Sequence, residues 1–83
     1  MPLFMDVHTL GGSVSEAEAA AAHAKDLETQ GAYGVSFKEY WVDHKQGKIF
    51  CLAEGPDAKT VGRVHEEGHG MVADAIFEVA HYA

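Results

Sequence analysis

The chemistry available to this 83-residue chain lies in its imidazoles and carboxylates: six histidines and thirteen Asp and Glu residues stand against a single cysteine, Cys51. Imidazole nitrogen and carboxylate oxygen together suit a divalent transition metal such as Ni²⁺, Zn²⁺ or Cu²⁺, with the choice among them set by geometry and availability. Two spacings concentrate those donors. Asp6 and His8 are two residues apart, so on an extended strand they share one face. His65 and His69 are four residues apart, so on a helix they share one surface, at a separation that lets two imidazoles reach one ion. The pair is read as a bare His-x-x-x-His spacing and not as a metalloprotease helix. Val61 and Val64 flank His65 on the apolar side of the same helix, so a hydrogen-bonded core histidine is the competing reading there.

The remaining candidates carry less. His23 lies beside the apolar stripe of an earlier helix, where a structural or inter-helix role competes with metal ligation. His44, in a polar hairpin, and His81, near the C-terminus, read as solvated side chains. Cys51 sits in an apolar strand and reads as a small buried hydrophobe, becoming a ligand or nucleophile only with an imidazole beside it. The glycines form neither a dinucleotide fingerprint nor a phosphate loop.

These residues need elements to position them. Residues 3–8 alternate Leu3, Met5 and Val7 with Phe4, Asp6 and His8, as a two-faced strand does. After Gly11 and Gly12, Ser15 and Glu18 form a capping box opening a helix from Glu16 to about Gln30, with Ala17, Ala20, Ala24 and Leu27 expected to pack on a sheet. Gly31 and Gly34 stop it. Residues 35–43 and 48–54 then read as strands joined by His44-Lys45-Gln46-Gly47. Gly55-Pro56-Asp57 leads into a second helix whose apolar face is Ala58, Val61, Val64, His65, Gly68 and Val72, ending near His69-Gly70. Residues 75–80 supply a last strand. The order predicts an α+β, ferredoxin-like βαββαβ sandwich, one domain over residues 1–83, with both helices on one face of an antiparallel sheet.

That topology brings His8, Asp43, His44, His69 and Asp74 to one end of the domain. It leaves the parity of the first strand open. With Leu3, Met5 and Val7 towards the helices, Asp6 and His8 would face away from His65 and meet it only around the sheet end or across a dimer.

A formal charge of −7 repels phosphate backbones and anionic lipid, so neither nucleic acid nor a membrane surface is an expected partner. No apolar run approaches the roughly 20 residues of a membrane span, and the opening residues lack the charged and apolar regions of a secretory signal, so a cytoplasmic location is expected. An aromatic-bearing sheet face free of helices needs cover, and a homodimer supplies it.

Taken together, Met5-Asp6-Val7-His8, Ala22-His23 followed by Asp26-Leu27 and Gln30, Tyr40-Trp41-Val42-Asp43, Phe50-Cys51-Leu52 with Glu54 and Pro56, and Val64-His65 with His69-Gly70 resemble a family of small nickel-binding proteins with a ferredoxin-like fold. The resemblance spans nearly the whole chain. It implies a homodimer that binds nickel at surface sites, for sequestration or metal response, and Asp6, His8, His23, His65 and His69 are the positions that match. The rival reading is a dimeric α+β barrel enzyme in which His65 or His8 acts as acid or base near Tyr40 and Glu54. Catalysis requires an enclosed cavity with convergent polar groups, whereas metal uptake from solution calls for ligands that reach solvent.

Overall fold

A computed structural model describes residues 1–83. The chain forms β1 (Leu3–Thr9), α1 (Glu16–Thr29), a 3₁₀ turn (Gln30–Tyr33), β2 (Ser36–Asp43), β3 (Lys48–Glu54), α2 (Ala58–Gly68) and β4 (Ala75–Val79). The expected α+β order holds, with boundaries within a residue or so and the 3₁₀ turn as an unexpected extension of α1. The sheet order is β2-β3-β1-β4 with antiparallel neighbours throughout, so β1 and β2 run the same way. No helix is long and apolar enough to cross a membrane.

Strand parity is decided in favour of the polar residues. Phe4, Asp6 and His8 are buried on the helix side of β1, while Leu3, Met5 and Val7 are half-buried on the other. The register explains how the outer face accepts them: Met5 lies opposite Leu52 and Phe77, Leu3 opposite Val79, and Val7 opposite Phe50. These cross-strand neighbours pack on one another without any helix. Asp6 and His8 instead enter the interior, where polar partners meet Asp6.

Helix α1 is rotated from the expected orientation. Ser15 Oγ accepts the Glu18 N–H and Glu18 Oε1 accepts the Ser15 N–H, both at 3.1 Å, so the capping box forms as read. The stripe Ala17, Ala20, Ala24 and Leu27 nevertheless faces outward, Leu27 being 46% exposed, and the inward face is Ala19, Ala22, His23 and Asp26. Apolar spacing picked the wrong side because the side that meets the sheet carries polar groups, one of them an ionic partner in the core. Val72 likewise lies outside α2 and is exposed.

A bulge between Phe37 and Glu39 resets the parity of β2, so Phe37 is buried and Tyr40 packs on the core while Trp41 faces out. Gln30 Oε1 accepts the Phe37 N–H there at 2.8 Å, tying the 3₁₀ turn to the bulge. The apolar core is small: Phe4, Val14, Ala19, Val35, Phe37, Ile49, Cys51, Ala53, Val61 and Val64.

At the end of the domain where β1 finishes, the Thr9 N–H donates to Asp74 Oδ2 at 2.6 Å and the Leu10 N–H donates to the Gly47 carbonyl at 2.7 Å. Gly47 has φ +70, and a Cβ there would overlap the Gly12 carbonyl group. Gly47→Ala is therefore expected to lower stability by about 1–3 kcal/mol, since it adds left-handed backbone strain to a clash with main chain. The urea midpoint measures this, and an unshifted midpoint would show that the turn relaxes freely.

Candidate metal centre

β1 is an inner strand, so Asp6 projects between the helices from the middle of the sheet, opposite Cys51 of β3 and Ile76 of β4. α2 starts at Asp57, whose Oδ1 accepts the Thr60 N–H at 2.8 Å, and turns Val61, Val64 and His65 onto the sheet. Near its end α2 meets α1 closely: a Cβ at Gly68 would sit 3.1 Å from the Lys25 carbonyl oxygen. That approach draws Asp26, the next residue of α1, to the imidazoles of α2. Glycine at position 68 thus trades some helix propensity for a helix crossing that a larger residue would push apart.

His65 is the centre of the arrangement. Its Nε2 lies 2.7 Å from Asp6 Oδ2 and its Nδ1 lies 2.9 Å from Asp26 Oδ1. Carboxylate oxygens accept, so both ring nitrogens donate and His65 is an imidazolium. His69 follows by elimination. The Met71 N–H donates to His69 Nδ1 at 3.2 Å, so the neutral ring carries its proton on Nε2, which lies 3.1 Å from Asp26 Oδ1, within ion-pair distance. The 3.2 Å approach of His65 Nδ1 to His69 Nε2 is then two N–H groups converging on one oxygen and not a bond between the rings.

Burial disfavours the His65 charge, but the hydrogen bonds to Asp26 and Asp6 outweigh it and push the pKa up to about 11. Burial likewise raises Asp6 and Asp26, yet their histidine partners hold both carboxyls below the ordinary carboxylate value. Two carboxylates against one imidazolium leave the triad with one uncompensated negative charge in the interior, where an unpaired charge is most costly.

The deficit falls at a definite place. Asp6 Oδ1 and both nitrogens of His8 are buried without a hydrogen-bond partner. His8 Nε2 lies 3.3 Å from Asp6 Oδ1, within ion-pair distance but without hydrogen-bond alignment. Asp6, His8, Cys51 and His65 can each offer one donor atom, all within 4.8 Å of one another, and Asp26, His65 and His69 form a second such group. An orphaned carboxylate oxygen beside an orphaned imidazole fits a divalent cation, which supplies the missing charge and takes lone pairs from both.

Of the five expected ligands, Asp6, His8 and His65 thus fall in one group and His65 and His69 in the other, while His23 belongs to neither. His23 stacks on Tyr40 with ring centroids 4.7 Å apart, and its Nδ1 is buried without a partner. The expectation that the ligands reach solvent is not met by Asp6, His8 and His65, which are at most 3% exposed, whereas His23 and His69 are half-buried. Mutual pairing lets the triad members be buried together. Of the histidines set aside, His44 is exposed, with its ring Nδ1 2.7 Å from the Val14 carbonyl oxygen, and His81 is exposed near the C-terminus.

Two members escape a reading by spacing. Asp26 follows His23 by three positions, which marks a shared helix face, and Cys51 requires the β1–β3 register to be placed beside Asp6. The bare His-x-x-x-His spacing also needs correction. His65-Glu66-Glu67-Gly68-His69 does carry a Glu directly after its first His, matching the metalloprotease pattern His-Glu-x-x-His. Here both nitrogens of the first histidine are committed to carboxylates, and Glu66 is exposed on a groove between α2 and β4. The space among His8, His23, Tyr40, Cys51 and His65 amounts to about 10 Å³, room for one water. That volume admits no organic substrate, and Glu54 is paired with Lys38 at 3.0 Å on the other side of the sheet. The cavity that the enzyme reading requires is missing from this place.

Fold and cluster together define a small ferredoxin-like α+β protein with a candidate metal centre built into its interior. The sequence profile of the family described as nickel responsive protein SCO4226-like matches residues 4–79, and the chain belongs to that family. The crystal structure of SCO4226 from Streptomyces coelicolor A3(2) is similar at a TM-score of 0.91 and 41% identity, covering 98% of this chain and 99% of that one. No curated protein matches the chain.

The triad sets the pH response of the metal-free protein. Below 6.5 His65 is charged in folded and unfolded chains alike and its stabilisation is complete, and as pH rises from there towards 11 only the folded chain keeps the proton. Stability is then lost at up to roughly 1 kcal/mol per pH unit. Asp6 and Asp26, lowered from 3.8, contribute stability that is complete above that value and is lost as pH falls through their folded values. Urea midpoints are expected to peak between about pH 4 and 6.5. His65→Leu, which deprives two buried carboxylates of their imidazolium, is expected to cost about 3–5 kcal/mol and to flatten the alkaline limb. A midpoint constant across that alkaline limb in the unaltered protein would contradict the imidazolium assignment.

Proposed function

We propose that this chain is a nickel-binding protein for sequestration or metal response, with Asp6 and His8 as its principal ligands. The observation that carries the reading is the pair of buried, partnerless donors, Asp6 Oδ1 and His8, beside a triad that is one positive charge short. The nickel-responsive description of the family supports Ni²⁺ as the cargo. Zn²⁺ and Cu²⁺ suit the same donors, and Cu²⁺ binds most nitrogen and oxygen sites more tightly, so availability decides between them.

In this reading His65 fixes Asp6 from behind: its Nε2–H holds Oδ2 and leaves Oδ1 turned to the ion, as an outer-shell partner does. Asp26, which accepts the other N–H of His65 and lies beside His69, holds that imidazolium in place in turn. His23 lines the same small cavity but stands outside both donor groups. A buried single cysteine kept reduced fits a reducing, cytoplasmic setting.

Calorimetric titration of tag-free, metal-free protein is expected to show saturable Ni²⁺ uptake that weakens below about pH 6, as imidazole retains its proton. Asp6→Asn and His8→Ala should each weaken it by roughly 100-fold or more, beyond the cost of an outer-shell loss, whereas His44→Ala and His81→Ala should leave it unchanged. Affinity surviving in both inner variants would move the site to the surface and overturn the assignment.

We further propose that the open sheet face pairs with a second copy. Trp41 and Phe77 are 46% and 54% exposed on it, beside Leu3, Met5, Leu52 and Val79, a contiguous apolar face of the kind that marks an interaction surface. Two such faces stacked about a two-fold axis cover one another, and the charge of −7 per chain resists growth beyond two. Sedimentation velocity is expected to give a dimer without metal and a monomer for the Trp41→Glu, Phe77→Glu double variant. A monomeric unaltered chain would refute the pairing.

A further inference from the structure

The cluster contains one donor that differs in kind from the rest. Cys51 is 5% exposed and stands directly opposite Asp6 in the β1–β3 register, so its side chain and the Asp6 carboxylate leave the same sheet face as nearest cross-strand neighbours. Its sulfur is one of the four donor atoms lying within 4.8 Å of one another, with those of Asp6, His8 and His65. A lone buried cysteine is ordinarily a small hydrophobe. This one borders a carboxylate oxygen and an imidazole that are themselves buried and partnerless.

We infer that Cys51 is a thiolate ligand of the same centre, completing with Asp6 and His8 a mixed oxygen, nitrogen and sulfur donor set. The inference rests on the proposed metal site and adds to it the sulfur. Cys51 takes part as follows: its S–H bond breaks, the proton passes to buffer, and the freed sulfur lone pair goes to the divalent ion, with no change in oxidation state. A sulfur donor shifts the preference of the site from hard cations towards Ni²⁺, Co²⁺ and Zn²⁺, which accept thiolate readily, and away from Mg²⁺ and Ca²⁺, which do not.

Absorption spectroscopy tests the sulfur directly, because only metal–sulfur bonding gives an intense near-ultraviolet thiolate-to-metal charge-transfer band. Tag-free protein in a phosphine reductant would be titrated with Ni²⁺ and with Co²⁺, and bound metal counted in parallel by equilibrium dialysis. The expected result is a band that grows with uptake and saturates at one equivalent per chain. Cys51→Ser and Cys51→Ala should lose the band while still taking up metal through Asp6 and His8, with affinity lowered by more than the roughly 10–100-fold that an outer-shell loss costs. Full uptake by the unaltered protein without the band overturns the sulfur ligand and leaves the Asp6–His8 site standing. No uptake at all overturns both. The unaltered protein separates these outcomes even if a variant fails to fold.

Discussion

The structure turns on one buried ion set, the imidazolium of His65 held between the carboxylates of Asp6 and Asp26. Its three members come from β1, α1 and α2, so it is formed only when both helices lie on the same face of the sheet in the right rotation. Each member is nearly inaccessible to water, and each would be costly there alone. Such a set contributes little net stability against a well-packed apolar replacement, but it discriminates sharply among arrangements. A one-residue slip of β1 would turn Asp6 to the outer face and leave the buried His65 Nε2–H without an acceptor. In a domain whose apolar core is only ten residues, that discrimination matters more than in a large one.

The same set explains which parts of the fold could be read from the residues in order. Element order and boundaries followed from turn chemistry and alternation, because Gly11-Gly12, Gly34, Gly47 and Gly55-Pro56-Asp57 punctuate the chain independently of what any side chain meets. Facing was different. Hydrophobicity put Ala17, Ala20, Ala24 and Leu27 against the sheet and left the orientation of β1 undecided, since it ranks Asp26, His23, Asp6 and His8 as outward residues. Those residues face inward because they find one another, and that knowledge requires three elements at once. The bulge after Phe37 was equally invisible, as it depends on a hydrogen bond from a backbone amide to Gln30.

The candidate site was legible to a similar depth. Asp6, His8, His65 and His69 stood out by spacing, and the structure gathers them. Cys51 had no ligand spacing, and Asp26 had only its three-residue separation from His23. One acquires its place through strand register, the other through a helix crossing made close by Gly68. The charge count, which distinguishes a satisfied core histidine from a centre lacking a cation, has no trace in spacing. The histidine at position 65 is in fact the hydrogen-bonded core residue that its apolar neighbours suggested, and this is what frees Asp6 Oδ1 for another partner.

His69 stands between the loop before β4 and the buried Asp26. One nitrogen accepts a hydrogen bond from the Met71 amide at the rim of the domain, and the other lies 3.1 Å from Asp26 Oδ1 in the interior. A neutral imidazole has a single proton to place, so the two ends are not independent. If Asp26 ceased to accept and the ring moved its proton to Nδ1, the Met71 amide would face a donor and the loop before β4 would have to let go. The rim backbone and the buried carboxylate are thus the two ends of one two-position connector, and neither can change its hydrogen bonding in silence.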